Sequence, residues 1–177
     1  MKSEGYIEVI LGPMFSGKTT YLLSQISKLG RQNSKVFKPV IDDRYSQGDL
    51  VSHQQEKVPA LNVSSGEEIF EHLDRLDKYI FIDEIQFFDH SIVQVCKKLR
   101  SSGFYVRLAG LHKDSDQQNF TTSEKIRAIA DKTHFLEGEC AVCGASGEHT
   151  YCTSSHKNEQ VVVGGAEMYE CRCDNCI

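Results

Sequence analysis

The sequence predicts an α/β domain, a parallel sheet covered by helices on both faces, followed by a small cysteine-rich module. Three observations carry that prediction. Short β-branched apolar runs alternate with amphipathic stretches as far as about residue 135. The first run ends in a glycine-bounded loop that opens directly into a helical stripe. Six of the seven cysteines fall in the last 38 residues, and four of these form two C-x-x-C pairs. Strands that alternate with helices pair in parallel, and the helices then cover both sheet faces.

Taken in order, "YIEVIL" (6–11) reads as a strand stopped by Gly12 and Pro13. In 18–30, Leu22, Ile26 and Leu29 lie at helical spacing and Gly30 closes the stripe. "SKVFKPVI" (34–41) is a second strand, and the polar stretch 42–57 is expected to be a loop. Residues 65–77 read as a short helix whose early acids suit the helix dipole. A third strand, 79–82, runs straight into Asp83 and Glu84. Helix 91–103, strand 104–111, helix 122–131 and a last strand at 133–140 complete the body. The expected division is 1–138 for the body and 139–177 for the module. In such sheets ligands bind beyond the carboxyl ends of the strands, here after Leu11 and Ile82.

Composition narrows the function classes. The chain has 177 residues, 40% hydrophobic and 25% charged, enough for one core plus an appendage. Its net charge of −5, with no dense run of Lys or Arg, argues against a nucleic-acid partner. No apolar run has membrane-spanning length and the opening residues lack a signal-peptide core, so no membrane association and a cytoplasmic location are expected.

"GPMFSGKT" fits G-x-x-x-x-G-K-[ST] through Gly12, Gly17, Lys18 and Thr19. Small residues let loop N–H groups point at phosphate oxygens, Lys18 adds a point charge, and the Thr19 hydroxyl suits Mg²⁺. The following helix contributes its positive end. Two acids follow the third strand, and strand alternation sends them in opposite directions. Asp83 is the candidate for Mg²⁺, and Glu84 is free to take a proton from an acceptor or to orient water. Phe87 and Phe88 read either as core or as walls for a flat ring.

The pairs Cys140-x2-Cys143 and Cys173-x2-Cys176 are spaced for a four-thiolate structural Zn²⁺ site. Cys171 is a rival for Cys173, and the matching x2 spacing favours Cys173 with Cys176. Between the pairs, 149–155 and 159–165 read as arms of an extended hairpin. Cys96 shares a helical stripe with Ile92, Val93 and Leu99 and is expected in the core. The seven histidines show no paired metal spacing and are read as surface or loop residues.

The ordered set "GPMFSGKT", "KPVIDDRY", "DEIQFF", "CAVC" and "VVVGGAEMYECRCDNC" resembles the cytosolic thymidine kinase family of the zinc-containing, RecA-like P-loop type, over nearly the whole chain. The resemblance implies ATP-dependent phosphorylation of the 5′-hydroxyl of thymidine or deoxyuridine, with Glu84 as general base. It implies an ATP-facing set of Gly12, Pro13, Met14, Phe15, Ser16, Gly17, Lys18 and Thr19 with Asp83, Glu84, Ile85 and Gln86. Asp42 and Arg44 would join Thr19 and Asp83 at metal and phosphates. Phe87, Ser115, Thr150, Val163, Gly164 and Tyr169 would line the nucleoside pocket, closed by the lasso between the cysteine pairs. A homotetramer inhibited by thymidine triphosphate is also implied. The sequence departs from the family's pattern in "GLHKDSDQQNF" (110–120): His112 replaces an acid and Ser115 an aromatic, and Cys152 stands where a basic residue is usual. Those departures leave an alternative reading, a catalytically impaired nucleotide-binding regulator on the same fold. A zinc-ribbon ATPase acting on nucleic acid is disfavoured by the acidic charge.

Overall fold

The computed structural model describes residues 4–40, 49–51, 57–153 and 168–177. In chain order its strands are β1 (Tyr6–Leu11), β2 (Ser34–Pro39), β3 (Asp49–Val51), β4 (Lys57–Pro59), β5 (Leu61–Val63), β6 (Tyr79–Ile82), β7 (Tyr105–Gly110) and β8 (Lys132–Phe135). The short strands β9 (Gly138–Glu139), β10 (Ser146–Gly147), β11 (His149–Cys152) and β12 (Tyr169–Arg172) follow. The helices are α1 (Lys18–Leu29), α2 (Ser91–Ser101) and α3 (Thr121–Ile129).

Six strands form one sheet in the order β5-β2-β6-β7-β1-β8, and every neighbouring pair is parallel. Alternation along β1 explains its two-sided burial. Ile7, Val9 and Leu11 join Ile92, Val95, Cys96, Leu99 and Ile126 on the α2/α3 face. Ile10 joins Leu22, Leu23 and Ile26 of α1, with Phe81 and Ala109, on the other face. Each fully buried Leu or Ile in these clusters contributes roughly 2 kcal/mol. The expected doubly covered parallel sheet is the observed one, and Cys96 is core, as its stripe implied.

Several local expectations change. The stretch read as a loop contains β3, which pairs antiparallel with β4. The expected helix 65–77 is only a 3₁₀ turn at Glu67–His72. The Asp74 amide donates to Asp77 Oδ2 at 2.6 Å and turns the chain. Lys35 holds that turn, with Nζ 2.9 Å from Asp74 and 3.9 Å from Asp77. Leu76, which a longer helix would have placed on its apolar stripe, stays 78% exposed. β5 extends the sheet past β2, and three residues are too few to show a period. The expected last strand, 133–140, is split: β8 ends at Phe135, and β9 belongs to a separate ribbon with β10. Past it, β11 pairs with β12. The proposed second hairpin arm, 159–165, lies outside the described residues.

Candidate active site and metal centre

The carboxyl ends of β1, β6 and β7 bring three loops together. After β1, residues 12–17 wrap into the start of α1. Gly17 is at φ 81°, a left-handed conformation that L side chains resist, and a Cβ there would meet no atom within 4 Å. The space in front of that turn is open, as a phosphate cradle requires. Phe15 in the same loop is also left-handed, at φ 64°. Lys18 folds back over the loop: its Nζ donates to the Pro13 carbonyl at 2.5 Å and to Ser16 Oγ at 3.3 Å. Burial holds the Lys18 ammonium below the ordinary lysine value, against the opposing charges of Glu84, Asp83 and Cys171.

Thr19, on the first turn of α1, donates its hydroxyl to Asp83 Oδ2 at 3.0 Å. This contact joins the loop after β1 to the strand end of β6. Asp83 is buried, and its Oδ1 accepts the Glu84 amide at 3.0 Å. Burial, followed by the charge of Glu84, raises the Asp83 carboxyl to about 6, although Lys38, the Glu84 amide and the Thr19 hydroxyl pull the other way. Glu84 departs from the extended geometry assumed from sequence. It sits at φ 56°, ψ 44°, in a left-handed turn, so strand alternation does not set the direction of its side chain. Its Oε2 accepts from Gln86 Nε2 at 2.5 Å.

The flanking aromatics separate: Phe88 is core and Phe87 is half-buried. Ile85 is wholly in the core. Asp42, Arg44, Val163 and Gly164 lie outside the described residues.

The loop after β7 carries the departures from the family pattern. Asp114 is buried, and its Oδ1 accepts the amides of Asp116 at 2.9 Å and Gln118 at 2.8 Å. Ser115 sits inside this tight turn. His112 meets Phe135 edge-on, with ring centroids 5.8 Å apart. Burial, then the charges of Lys113 and Lys18, keep His112 below the ordinary histidine value. Its Nδ1 is buried without a hydrogen-bond partner among the described residues.

Cys140, Cys143, Cys173 and Cys176 converge, with all four sulfurs within 4.8 Å of one another. Tetrahedral zinc with Zn–S of about 2.3 Å sets sulfurs about 3.8 Å apart. The Cys143 and Cys173 sulfurs are 3.6 Å apart, so the donor set fits Zn²⁺ in both chemistry and spacing. Burial opposes ionisation of Cys140, yet the amides of Cys173, Cys143 and Val142 outweigh it and hold the thiol below its usual value. Cys171 is no member of this group: its sulfur packs between Gly138 and Gly147.

The cysteine module also touches the phosphate loop. Thr150, buried in β11, accepts the Met14 amide on Oγ1 at 3.0 Å. Gln117, left-handed at φ 63°, donates to the Thr150 carbonyl at 3.5 Å. His149 completes the connection, with Nδ1 2.6 Å from Gln117 Oε1 and Nε2 2.5 Å from Asp174 Oδ1. His149 and His134, read from the sequence as surface or loop residues, lie half-buried in β11 and β8 and are partnered; His134 Nε2 lies 2.6 Å from Glu8 Oε1. Sequence reasoning missed the His149–Gln117 pair, because nothing in either segment signals the other.

Strand, phosphate loop, helix and a second acid-tipped strand define a P-loop α/β nucleotide-binding protein with an appended four-cysteine knuckle. Residues 5–177 match the thymidine kinase family, and the chain belongs to that family. Membership supports a kinase that phosphorylates a nucleoside with ATP. Among solved structures, the Pif1 helicase from Candida albicans aligns at 15% identity with a TM-score of 0.40, over 75% of this chain and 36% of that one. No helix among the described residues is long and apolar enough to cross a membrane.

Proposed function

We propose that the protein transfers the γ-phosphoryl group of ATP to the 5′-hydroxyl of thymidine or deoxyuridine, releasing ADP and the nucleoside monophosphate. The observation that carries this reading is the contact of Thr19 with Asp83 at 3.0 Å, with Glu84 next to it on a left-handed backbone. In this reading Asp83 serves the phosphate-loop side and Glu84 serves the acceptor.

The residues divide the work. The amides after Gly12 and the N-terminus of α1 bind the phosphates, and Lys18 leaves Pro13 to meet them. Thr19 and Asp83 supply hard oxygens for Mg²⁺, which offsets phosphate charge when bound. Glu84 accepts the proton of the 5′-hydroxyl as the oxygen attacks phosphorus. Asp42 and Arg44 belong to the metal and phosphate side in this reading. Phe87, Ser115, Thr150, Val163, Gly164 and Tyr169 belong to the nucleoside side. The four thiolates hold Zn²⁺ as a closed structural site and give the lasso a fixed base. The division at residue 138 remains part of the proposal, supported by all four thiols lying beyond β8. So do the tetramer and inhibition by thymidine triphosphate.

The test is thymidine-dependent formation of ADP and thymidine monophosphate by the zinc-loaded protein with Mg²⁺. Glu84→Gln should lower turnover by about 10²- to 10⁴-fold while ATP binding survives. Unchanged turnover in that variant would overturn Glu84 as base. Nucleotide binding with no acceptor phosphorylated, across a panel of nucleosides, would favour the regulatory alternative.

A further inference from the structure

We infer that Gln86 is a positioning residue for Glu84, a buried amide that fixes the direction of the carboxylate. The inference rests on the reading of Glu84 as general base. It goes beyond placing Gln86 in an ATP-facing motif.

Gln86 follows β6 by only four residues and is 7% exposed. Both ends of its side chain are engaged. Nε2 donates to Glu84 Oε2 at 2.5 Å, and Oε1 accepts the Leu111 amide at 2.9 Å. The orientation of the amide follows from its partners. A backbone N–H is only a donor, so Oε1 must face Leu111, and Nε2 is then left to face the carboxylate. Gly110 makes room for this arrangement: a Cβ there would lie 2.5 Å from Gln86 Oε1 and 2.6 Å from Ile85 Cγ1.

Glu84 needs such support. Its left-handed backbone is one that a side chain with a Cβ resists, and it persists only where surrounding contacts over-determine it. Asp83 Oδ1 holds the Glu84 amide, and Gln86 holds the Glu84 carboxylate. The carboxylate is thereby tied through Gln86 to the end of β7, the neighbouring strand in the sheet. One Glu84 oxygen is occupied by the amide, which leaves the other for the acceptor hydroxyl. A general base that swings freely spends most of its time out of reach of the proton, so the anchor acts on turnover rather than on nucleotide binding.

A double-mutant cycle on the full-length, zinc-loaded protein tests this. Gln86→Met removes both hydrogen bonds at similar length. It should lower kcat by about 10- to 100-fold and leave the ATP dissociation constant within about twofold. In the Glu84→Gln background the same change should have no further effect on kcat, because Gln86 acts only through the carboxylate. A purely structural role would slow both backgrounds by the same factor, and that result overturns the inference. Wild-type kcat in Gln86→Met, with Glu84→Gln slow, overturns it while sparing the base assignment. Wild-type kcat in Glu84→Gln overturns the base assignment and this inference with it. If Gln86→Met is too unstable to assay, Gln86→Leu repeats the cycle with another neutral side chain that lacks both hydrogen bonds. The same outcomes then decide.

Discussion

Asp83 joins the phosphate loop to the second acid, and its chemistry depends on burial. The folded protein raises this carboxyl to about 6 through burial and the neighbouring Glu84 charge, from an ordinary value of 3.8. Between those values the folded chain holds a proton that the unfolded chain has released. Stability from this group therefore falls as pH rises from about 4 to about 6, and at neutral pH the charged form burdens the ligand-free fold. Asp83→Asn keeps the shape without the charge. It should stabilise the nucleotide-free protein by about 1–2 kcal/mol at neutral pH, by urea titration. The gain should vanish near pH 4, and Mg²⁺-dependent turnover should be lost. A variant no more stable at neutral pH would show that Asp83 carries no such burden. The sequence made the acid pair at the strand end legible, because it is a contiguous motif directly after a buried apolar run. It did not show the left-handed turn at Glu84, since backbone conformation at one residue leaves no periodic trace.

Among the elements, β1 carries the least expected feature. "YIEVIL" places Glu8 on the α1 face of a buried strand, and the structure satisfies it from three sides. Arg107 of β7 forms an ion pair with it at 2.7 Å. His134 of β8 lies at 2.6 Å, and Tyr21 of α1 donates at 3.4 Å. Burial alone would raise the Glu8 carboxyl, but the His134 hydrogen bond and the Arg107 charge outweigh it and hold it below the usual range. That stability is present above the ordinary carboxylate value and is lost as pH falls through the lowered one. Glu8→Gln should cost about 2 kcal/mol at neutral pH, less than a fully buried pair because Arg107 and His134 are partly exposed. The difference from wild type should shrink below about pH 4, as the native carboxyl also loses its charge. Equal stability at neutral pH would mean the cluster contributes nothing. The main strands and helices were legible because their apolar periods are long enough to read. The shortened helix at Glu67–His72 was not, because its end is set by Asp74, Asp77 and a lysine from β2.

At the scale of the molecule, the cysteine module and the phosphate loop are one hydrogen-bonded unit. Asp174, His149, Gln117, Thr150 and Met14 form a continuous path from the Cys173–Cys176 knuckle to the loop. Removing zinc with a chelator should lower the melting temperature and speed hydrogen exchange at the Met14 amide. Thr150→Ala, with its zinc retained, should speed that amide alone by about fivefold, the equivalent of one hydrogen bond of about 1 kcal/mol. If exchange at Met14 ignores both changes, the module and the loop are not coupled. The sequence by itself determined the phosphate loop, the acid pair and the thiol pairs, because each is a short contiguous motif. Backbone amides that cradle a phosphate must be consecutive, and C-x-x-C sulfurs reach one metal through a local turn. Tertiary structure alone decided the long-range partners. Thr19 meets Asp83 across 64 residues and Thr150 meets Met14 across 136. Such pairs depend on sheet order and on how the module docks, and no spacing along the chain encodes either.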